Sequence, residues 1–164
     1  MELKVGNKSI SPWNIILFLG GLLAFIGMFI DVTTCTSTFL GVSASESFTG
    51  LDIIKDLPDG ISMAVYGPVI AGVMGIILVI FSLIPLFVDL KNNAKIVNIL
   101  GVILALVGLI MMVFFATQVG NGFGFVDPMF ADAMKYSMSA GAYLGIVGMV
   151  LALLGTLFNL KESL

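Results

Sequence analysis

Four long apolar runs, separated by polar segments, dominate the sequence; they cover about residues 13–30, 63–88, 96–118 and 137–160. Each approaches or exceeds the roughly 20 residues that a helix needs to cross a hydrocarbon core of about 30 Å. The pattern predicts an antiparallel bundle of four transmembrane helices, in a single integral membrane domain over residues 1–164. A cleaved signal peptide is the competing interpretation of the first run, because lysines precede it. The run is long for a signal peptide, and no small-residue cleavage site follows it.

Small residues recur along these runs at intervals of four and then three positions, which keeps them on one face of a helix. In the last run they are Gly141, Gly145, Gly148, Ala152 and Gly155; in the first they are Gly20, Ala24 and Gly27; in the third they are Gly101, Ala105 and Gly108. Small residues let helix backbones approach closely in lipid. These small-residue seams therefore predict either close packing among the helices of one chain or a face that contacts another subunit.

The segment after the first run is rich in β-branched residues and serine. Val32–Phe39 and Val42–Phe48 flank a Leu40-Gly41 pair, a composition typical of strands around a tight turn. We expect a two-stranded hairpin in this loop.

Two capping signals predict where helices begin outside the apolar runs. Thr49 followed by Asp52 is a weak capping box for a short helix over residues 50–57. Asp127 followed by Pro128 is typical of an N-cap and a first helical turn. From this pair we expect one helix from Pro128 through Leu160, about 50 Å long and thus longer than the bilayer core.

The lysines are unevenly divided between the two ends of the predicted bundle. Lys55 and Lys135 lie in the segments 31–62 and 119–136, which we call the cap; the other five are Lys4, Lys8, Lys91, Lys95 and Lys161. Because cytoplasmic segments carry the excess of lysine, we expect both termini in the cytoplasm and the cap outside the cell membrane.

Composition excludes several classes of function. Hydrophobic residues make up 59% of the chain and charged residues 10%, with a net charge of −3 and neither histidine nor arginine. The charge excludes nucleic-acid binding, and the missing residue types remove the commonest general base, metal ligand and phosphate clamp. No nucleophile-base pair or phosphate loop can be assembled. We therefore expect no enzymatic activity, no cofactor and no small-molecule substrate.

Two weaker site candidates remain open. Asp52, Asp56 and Asp59 could hold Ca²⁺, or they could form a solvated acidic face beside Lys55. Cys35, the single cysteine, could form a disulfide with a second chain, or it could be a small buried residue in a strand.

The order of these elements resembles the claudin-like four-helix architecture: four spans, cytoplasmic ends, a long first outer loop with strands and a short helix, and a tight inner turn at residues 89–95. The tryptophan-rich, two-cysteine signature that claudins carry in the first loop is missing. The resemblance therefore implies the topology and not a tight-junction role. Phe25–Phe29 at the end of the first span and Thr49–Asp52 also resemble segments of small bacterial and archaeal four-span proteins.

Apolar residues in the cap predict a recognition surface; they are Phe39, Leu40, Phe48, Phe123, Phe125 and Phe130. We expect a structural or interaction protein of the membrane, whose partner is itself or another membrane protein. A small transporter or channel subunit is the alternative. It is less well supported, because Asp31 and Asp89 end the first two spans at the membrane boundary instead of lying within it.

Overall fold

The computed structural model describes residues 3–5, 8–55, 57, 60–124 and 126–164. The chain is mostly helical and carries a small three-stranded sheet. Its helices and strands are β1 (Leu3–Val5), β2 (Lys8–Ile10), α1 (Pro12–Gly27), β3 (Asp31–Phe39), β4 (Val42–Thr49), α2 (Gly50–Ile53), α3 (Gly67–Phe87), α4 (Ala94–Val119), β5 (Met134–Met138) and α5 (Ala140–Ser163). Short 3-10 turns precede α3 and α4 and occupy Gly122–Gly124 and Pro128–Phe130.

Three helical segments, Met63–Phe87, Ala94–Val119 and Ala140–Ser163, are long and apolar enough to cross a membrane. This confirms that the chain is a membrane protein with transmembrane helices. The fourth apolar helix, α1, has 16 residues and is shorter. It begins where expected, because Pro12 occupies its first turn and the Ser11 hydroxyl accepts a hydrogen bond from the Trp13 N–H.

The helices α1, α3, α4 and α5 pack as antiparallel neighbours, with α1 between α3 and α5, and α4 on the opposite side. Their interior is filled by fully buried side chains that include Leu78, Ala105, Met112 and Met149. We call the end of the bundle where α1 and α4 begin the inner end. The sheet lies at the opposite end.

The sheet order is β4-β3-β5, with both pairs antiparallel. The expected hairpin of β3 and β4 is confirmed, and Leu40 (φ 49°) and Gly41 (φ 82°) form its turn with the left-handed conformations that a two-residue hairpin loop requires. Strand β5 pairs with β3 from the other cap segment, so both cap segments contribute to one sheet.

Our expectation of one helix from Pro128 to Leu160 is wrong. The Asp127 carboxylate does accept a hydrogen bond from the Met129 N–H at 2.9 Å, but it caps only a 3-10 turn. Strand β5 follows, because Met134, Tyr136 and Met138 alternate with polar residues and so place an apolar row on one face of the sheet. The hairpin therefore does not stand alone, and α5 begins only at Ala140.

The short helix of the first loop is also shorter than expected, since α2 ends at Ile53 and not at residue 57. Its capping box is confirmed: the Thr49 hydroxyl accepts from the Asp52 N–H at 3.2 Å, and the Asp52 carboxylate accepts from the Thr49 N–H at 3.3 Å.

Candidate functional site

The two faces of the cap sheet differ in chemistry. One face carries three directly opposed hydroxyl pairs across β3 and β4: Thr34 with Ser47, Thr36 with Ser45 and Thr38 with Ser43, at 2.9, 3.1 and 3.0 Å between their oxygens. Lys135 and Ser137 of β5 continue the same face. We call this the hydroxyl face.

The opposite face, here called the apolar face, holds the alternate residues of each strand. In its centre Cys35 lies directly between Glu46 and Tyr136. These residues, with Phe48 and Met134 beside them, line a cavity of about 410 Å³. Burial, together with a hydrogen bond to Cys35, raises the pKa of Tyr136 to about 12. Cys35 is itself buried, which favours the interpretation of a small buried residue over a disulfide with another chain.

The apolar face extends past its contacts with the rest of the protein. At the hairpin tip Phe39 is 75% exposed, Leu40 89% and Val42 73%. The turn formed by residues 130–133 lies beside the tip, because the Thr38 N–H donates to the Ala133 carbonyl at 2.8 Å. Phe130 in that turn is exposed as well. The tip and this turn together form an apolar surface at the outer end of the cap.

The residues expected on the recognition surface separate into three groups. Phe39, Leu40 and Phe130 are exposed, and Phe48 is half-buried. Phe123 is instead 1% exposed, with its ring 5.0 Å from that of Phe115, so it is a core residue. Phe125 lies outside the described residues.

Phe123 owes its burial to an unusual backbone. Its φ of 54° lies in the left-handed region and is flanked by Gly122 and Gly124 with positive φ. This conformation turns the ring into the end of the bundle, while the Phe123 carbonyl accepts a hydrogen bond from the Ser62 N–H at 3.1 Å. Phe123 therefore ties the second cap segment to the first, a role that composition alone did not indicate.

Of the acidic candidate site, the structure describes only Asp52. Asp52 forms an ion pair with Lys55 at 2.6 Å and completes the cap of α2, and these hydrogen bonds, that from Lys55 first, lower its pKa to about 2. Asp56 and Asp59 lie outside the described residues. Within the part of the chain that the structure describes, no three potential ligands lie together.

The small-residue seams pack inside one chain. A side chain on Gly148 would meet the Gly20 carbonyl oxygen and the Ala24 nitrogen at 2.6 Å, and one on Gly155 would meet Leu17. Gly27 and Gly141 meet in the same way at the other end of the α1–α5 contact. On α4, Gly101 and Gly108 accommodate Thr156 and Met149 of α5, and the Met112 side chain fills the space at Gly145. Ala24, Ala105 and Ala152 are buried between the same helices.

One close contact escaped the sequence analysis. Gly21 faces Gly75 of α3, where each would place a side chain 2.5 Å from the carbonyl oxygen of the other. The adjacent Gly20-Gly21 pair thus lets α1 approach α5 on one side and α3 on the other. The glycine doublet was a usable signal, since two consecutive glycines lie on two faces of a helix.

No model of a known protein family matches the chain. No curated protein matches it as a relative either.

Polar residues also collect at the inner end. The Asn159 side chain, 6% exposed, donates from Nδ2 to the side-chain oxygen Oδ1 of Asn14 at 2.7 Å. Asn98 donates to the Asn159 backbone carbonyl at 3.1 Å, and the Ser11 hydroxyl donates to Glu162 at 2.8 Å. The sequence analysis gave these residues no role. Their positions could have indicated this cluster. Each lies within a turn or two of the end of its helix, and the antiparallel packing brings those ends together.

Proposed function

We propose that this chain is a non-enzymatic structural protein of the cell membrane, which spans the bilayer four times and assembles with further copies of itself through the cap. The cap lies outside the cell and both termini lie in the cytoplasm. The observation that carries the proposal is the exposed edge strand β4, which ends in an apolar surface at the hairpin tip. The cap that contains this strand lies on a tightly packed helical bundle.

The packing of α1 supports the fourth span. Although its 16 residues extend only about 24 Å, α1 runs along α5 for almost the full length of that helix. Ser11 contacts Glu162 at the inner end, and Gly27 contacts Gly141 at the other. A helix that accompanies a membrane-spanning helix between both of its ends crosses the same layer.

The positions of charge support the orientation. Lys95 and Lys161 are exposed at the inner end, whereas Lys55 and Lys135 are exposed in the cap together with Asp52 and Glu46. The topology remains similar to the claudin-like architecture. This resemblance supports the orientation but does not indicate a partner.

The edge strand β4 is open to pairing. Among the strands of the described residues it pairs only with β3, all but its last two residues are exposed, and Glu46 is its single charge. Natural proteins protect such edges with proline, lysine or a bulge, and Val42–Thr49 contains no proline or lysine. The opposite edge, β5, does carry a central lysine, Lys135. The contrast favours β4 as the strand that pairs with another chain.

The sequence of β4 is self-complementary when two copies pair antiparallel about Ser45. In that register Ser45 faces Ser45 of the second copy, Ser43 faces Ser47, and the hydroxyl face continues across the junction. Glu46 then faces Ala44, and Phe48 faces Val42, which buries apolar area on the other face. Centring the pair on Glu46 would instead oppose two like charges. We therefore propose the Ser45-centred register, in which the two β4 strands, and with them the two helical bundles, run in opposite directions.

The alternative of a transporter or channel subunit is disfavoured by the packing between α1, α3 and α5. The paired backbones at Gly20, Gly21, Gly75 and Gly148 leave no room for a solute at that level.

Oxidative cross-linking in mild detergent, where two copies can meet in either orientation, tests this pairing. Directly opposed residues bring their α-carbons within disulfide range, so Ser45→Cys should give a covalent dimer. Ser137→Cys, on the same face of β5, is the matched control and should stay monomeric. Wild type, whose only cysteine is buried, provides the background. A Ser137→Cys dimer as abundant as that of Ser45→Cys, or no dimer from either, would reject pairing through β4.

A further inference from the structure

The inner end contains a polar cavity of about 300 Å³ that the proposed function does not use. Asn14 of α1, Asn98 of α4, and Asn159, Glu162 and Ser163 of α5 supply its polar walls. Pro85, Leu90 and Ala94 complete it. Three helices thus aim amide and carboxylate groups at one space.

The hydrogen bonds among the lining residues leave two side-chain oxygens available as acceptors, one on Asn98 and one on Glu162. Asn98 uses its side-chain nitrogen as a donor twice, to the Asn159 carbonyl and to the Ser163 hydroxyl at 3.4 Å. Its two N–H groups are thereby committed, and its oxygen remains an acceptor. Glu162 accepts from Ser11 through Oε2, which leaves Oε1. Glu162 is also the one charged side chain among the lining residues that the structure describes.

An apolar groove adjoins the cavity. It has a volume of about 200 Å³, lies between α1 and α3, and is lined mainly by Ile10, Ile15, Phe18, Leu83 and Leu86. Asn14 lines both spaces, so they lie next to each other. The combined site is polar and acidic at one end and apolar at the other.

The depth of the site matches the boundary between headgroups and acyl chains. Trp13 stacks on Phe158 with their ring centroids 4.0 Å apart, one residue from Asn14 and from Asn159 along the two helices. Tryptophan concentrates at this boundary. Lys95 and Lys161, exposed nearby, mark the aqueous side. The polar cavity therefore lies at headgroup level, and the groove extends toward the hydrocarbon.

We propose that this inner-end site binds one phospholipid with a primary-amine headgroup, such as phosphatidylethanolamine. An ammonium group supplies three N–H donors and a positive charge, which complement the Asn98 oxygen and the Glu162 carboxylate. The start of one acyl chain lies in the groove against Phe18 and Leu83. A quaternary choline headgroup has the charge but no N–H donor, and an anionic glycerol headgroup would meet Glu162 unfavourably.

Native mass spectrometry of protein released from nanodiscs tests the site. The nanodiscs contain equal amounts of phosphatidylethanolamine, phosphatidylcholine and phosphatidylglycerol with otherwise identical chains. We expect one retained lipid per chain, with the ethanolamine lipid favoured about three- to fivefold, as for a partly exposed ion pair. Equal retention of the three lipids, preference for phosphatidylglycerol, or no retained lipid would overturn the proposal.

Two variants locate the selectivity. Glu162→Gln removes the charge at an exposed position, and it should abolish the preference for the ethanolamine lipid, whereas Asp132→Asn, at an exposed position in the cap, should leave the preference unchanged. Leu83→Trp fills the groove and should lower retention of all three lipids. An undiminished preference in Glu162→Gln, or undiminished retention in Leu83→Trp, would place the lipid elsewhere. None of these variants lies in β4, so the lipid test and the test of assembly can fail independently.

Discussion

The α1–α5 contact and the hairpin tip use their residues in opposite ways. Along α1 and α5 the contact is made by backbone against backbone, with Gly20, Ala24, Gly148 and Ala152 fully or almost fully buried. At the tip, large apolar side chains such as Phe39 and Leu40 extend into solvent. A helix contact in lipid gains nothing from large apolar groups, because lipid is as apolar as they are; it depends on close fit. Outside the bilayer the same groups gain from leaving water. We therefore expect the first region to contribute stability, and we propose that the second contributes association.

The strongest test of this division compares two phenylalanines of the cap. Phe123→Ala empties a fully buried site under Phe115, so we expect it to lower the free energy of unfolding by about 3–5 kcal/mol. Phe39→Ala, at a 75% exposed position, should change it by less than about 0.5 kcal/mol. Denaturant titration of both variants in detergent measures the difference. Equal losses would mean that the tip is part of the folded core.

A second test compares two glycines. Gly148→Ala places a methyl group against the α1 backbone, and we expect a loss of about 1–3 kcal/mol even though alanine is the better helix former. Gly120→Ala, at the end of α4 with nothing within 4 Å, should be neutral or slightly stabilising. The same titration serves for both. A neutral Gly148→Ala would show that the two helices can separate without cost.

We expect a smaller effect on the free energy of unfolding from the hydrogen-bonded pair Asn14 and Asn159 at the inner end. Asn14→Ala and Asn159→Ala should show a coupling of about 0.6 kcal/mol and no more than about 1.7, as for hydrogen bonds between membrane helices. A double-mutant cycle isolates this term, because Asn98 binds the Asn159 backbone and not its side chain. Strict additivity would mean that the 2.7 Å hydrogen bond does not contribute.

The smallest effect concerns acid sensitivity in the cap. The pKa of folded Asp52 is lowered to about 2, so its ionised form stabilises α2 above the unfolded pKa of about 4. That contribution is lost as the pH falls from about 4 toward 2. The stability difference between wild type and Asp52→Asn should therefore be constant at neutral pH and shrink below about pH 4. A difference that does not change with pH would exclude the ionised carboxylate as its source.

The helices of the bundle could be predicted because their signals are local. Apolar length, the 4-then-3 glycine spacing and the Thr49 capping box each depend on residues near in sequence. Strand β5 could not be predicted in the same way. Its pairing depends on Cys35 lying opposite Tyr136, about a hundred residues away, while Asp127-Pro128 is a strong local signal for a helix.

The candidate sites could likewise be predicted only where their signals are local in sequence. The exposure of Phe39 and Leu40 follows from their place in a tight hairpin turn, which the sequence indicates. The burial of Phe123 depends on a left-handed backbone and on a partner, Phe115, from another element. The inner-end cavity likewise exists only because antiparallel packing joins the ends of α1, α4 and α5.

The central claim, that the cap and not the bundle makes the contact between copies, is tested most directly by mass. Light scattering in mild detergent, where two copies can meet in either orientation, measures the protein mass of wild type, of Ser45→Lys on the β4 edge and of Ser137→Lys on β5. We expect a defined oligomer for wild type and for Ser137→Lys, and a folded monomer for Ser45→Lys, since a lysine at the centre of an edge strand opposes its counterpart in the second copy. A monomeric wild type, or an oligomer that persists unchanged in Ser45→Lys, would contradict the account.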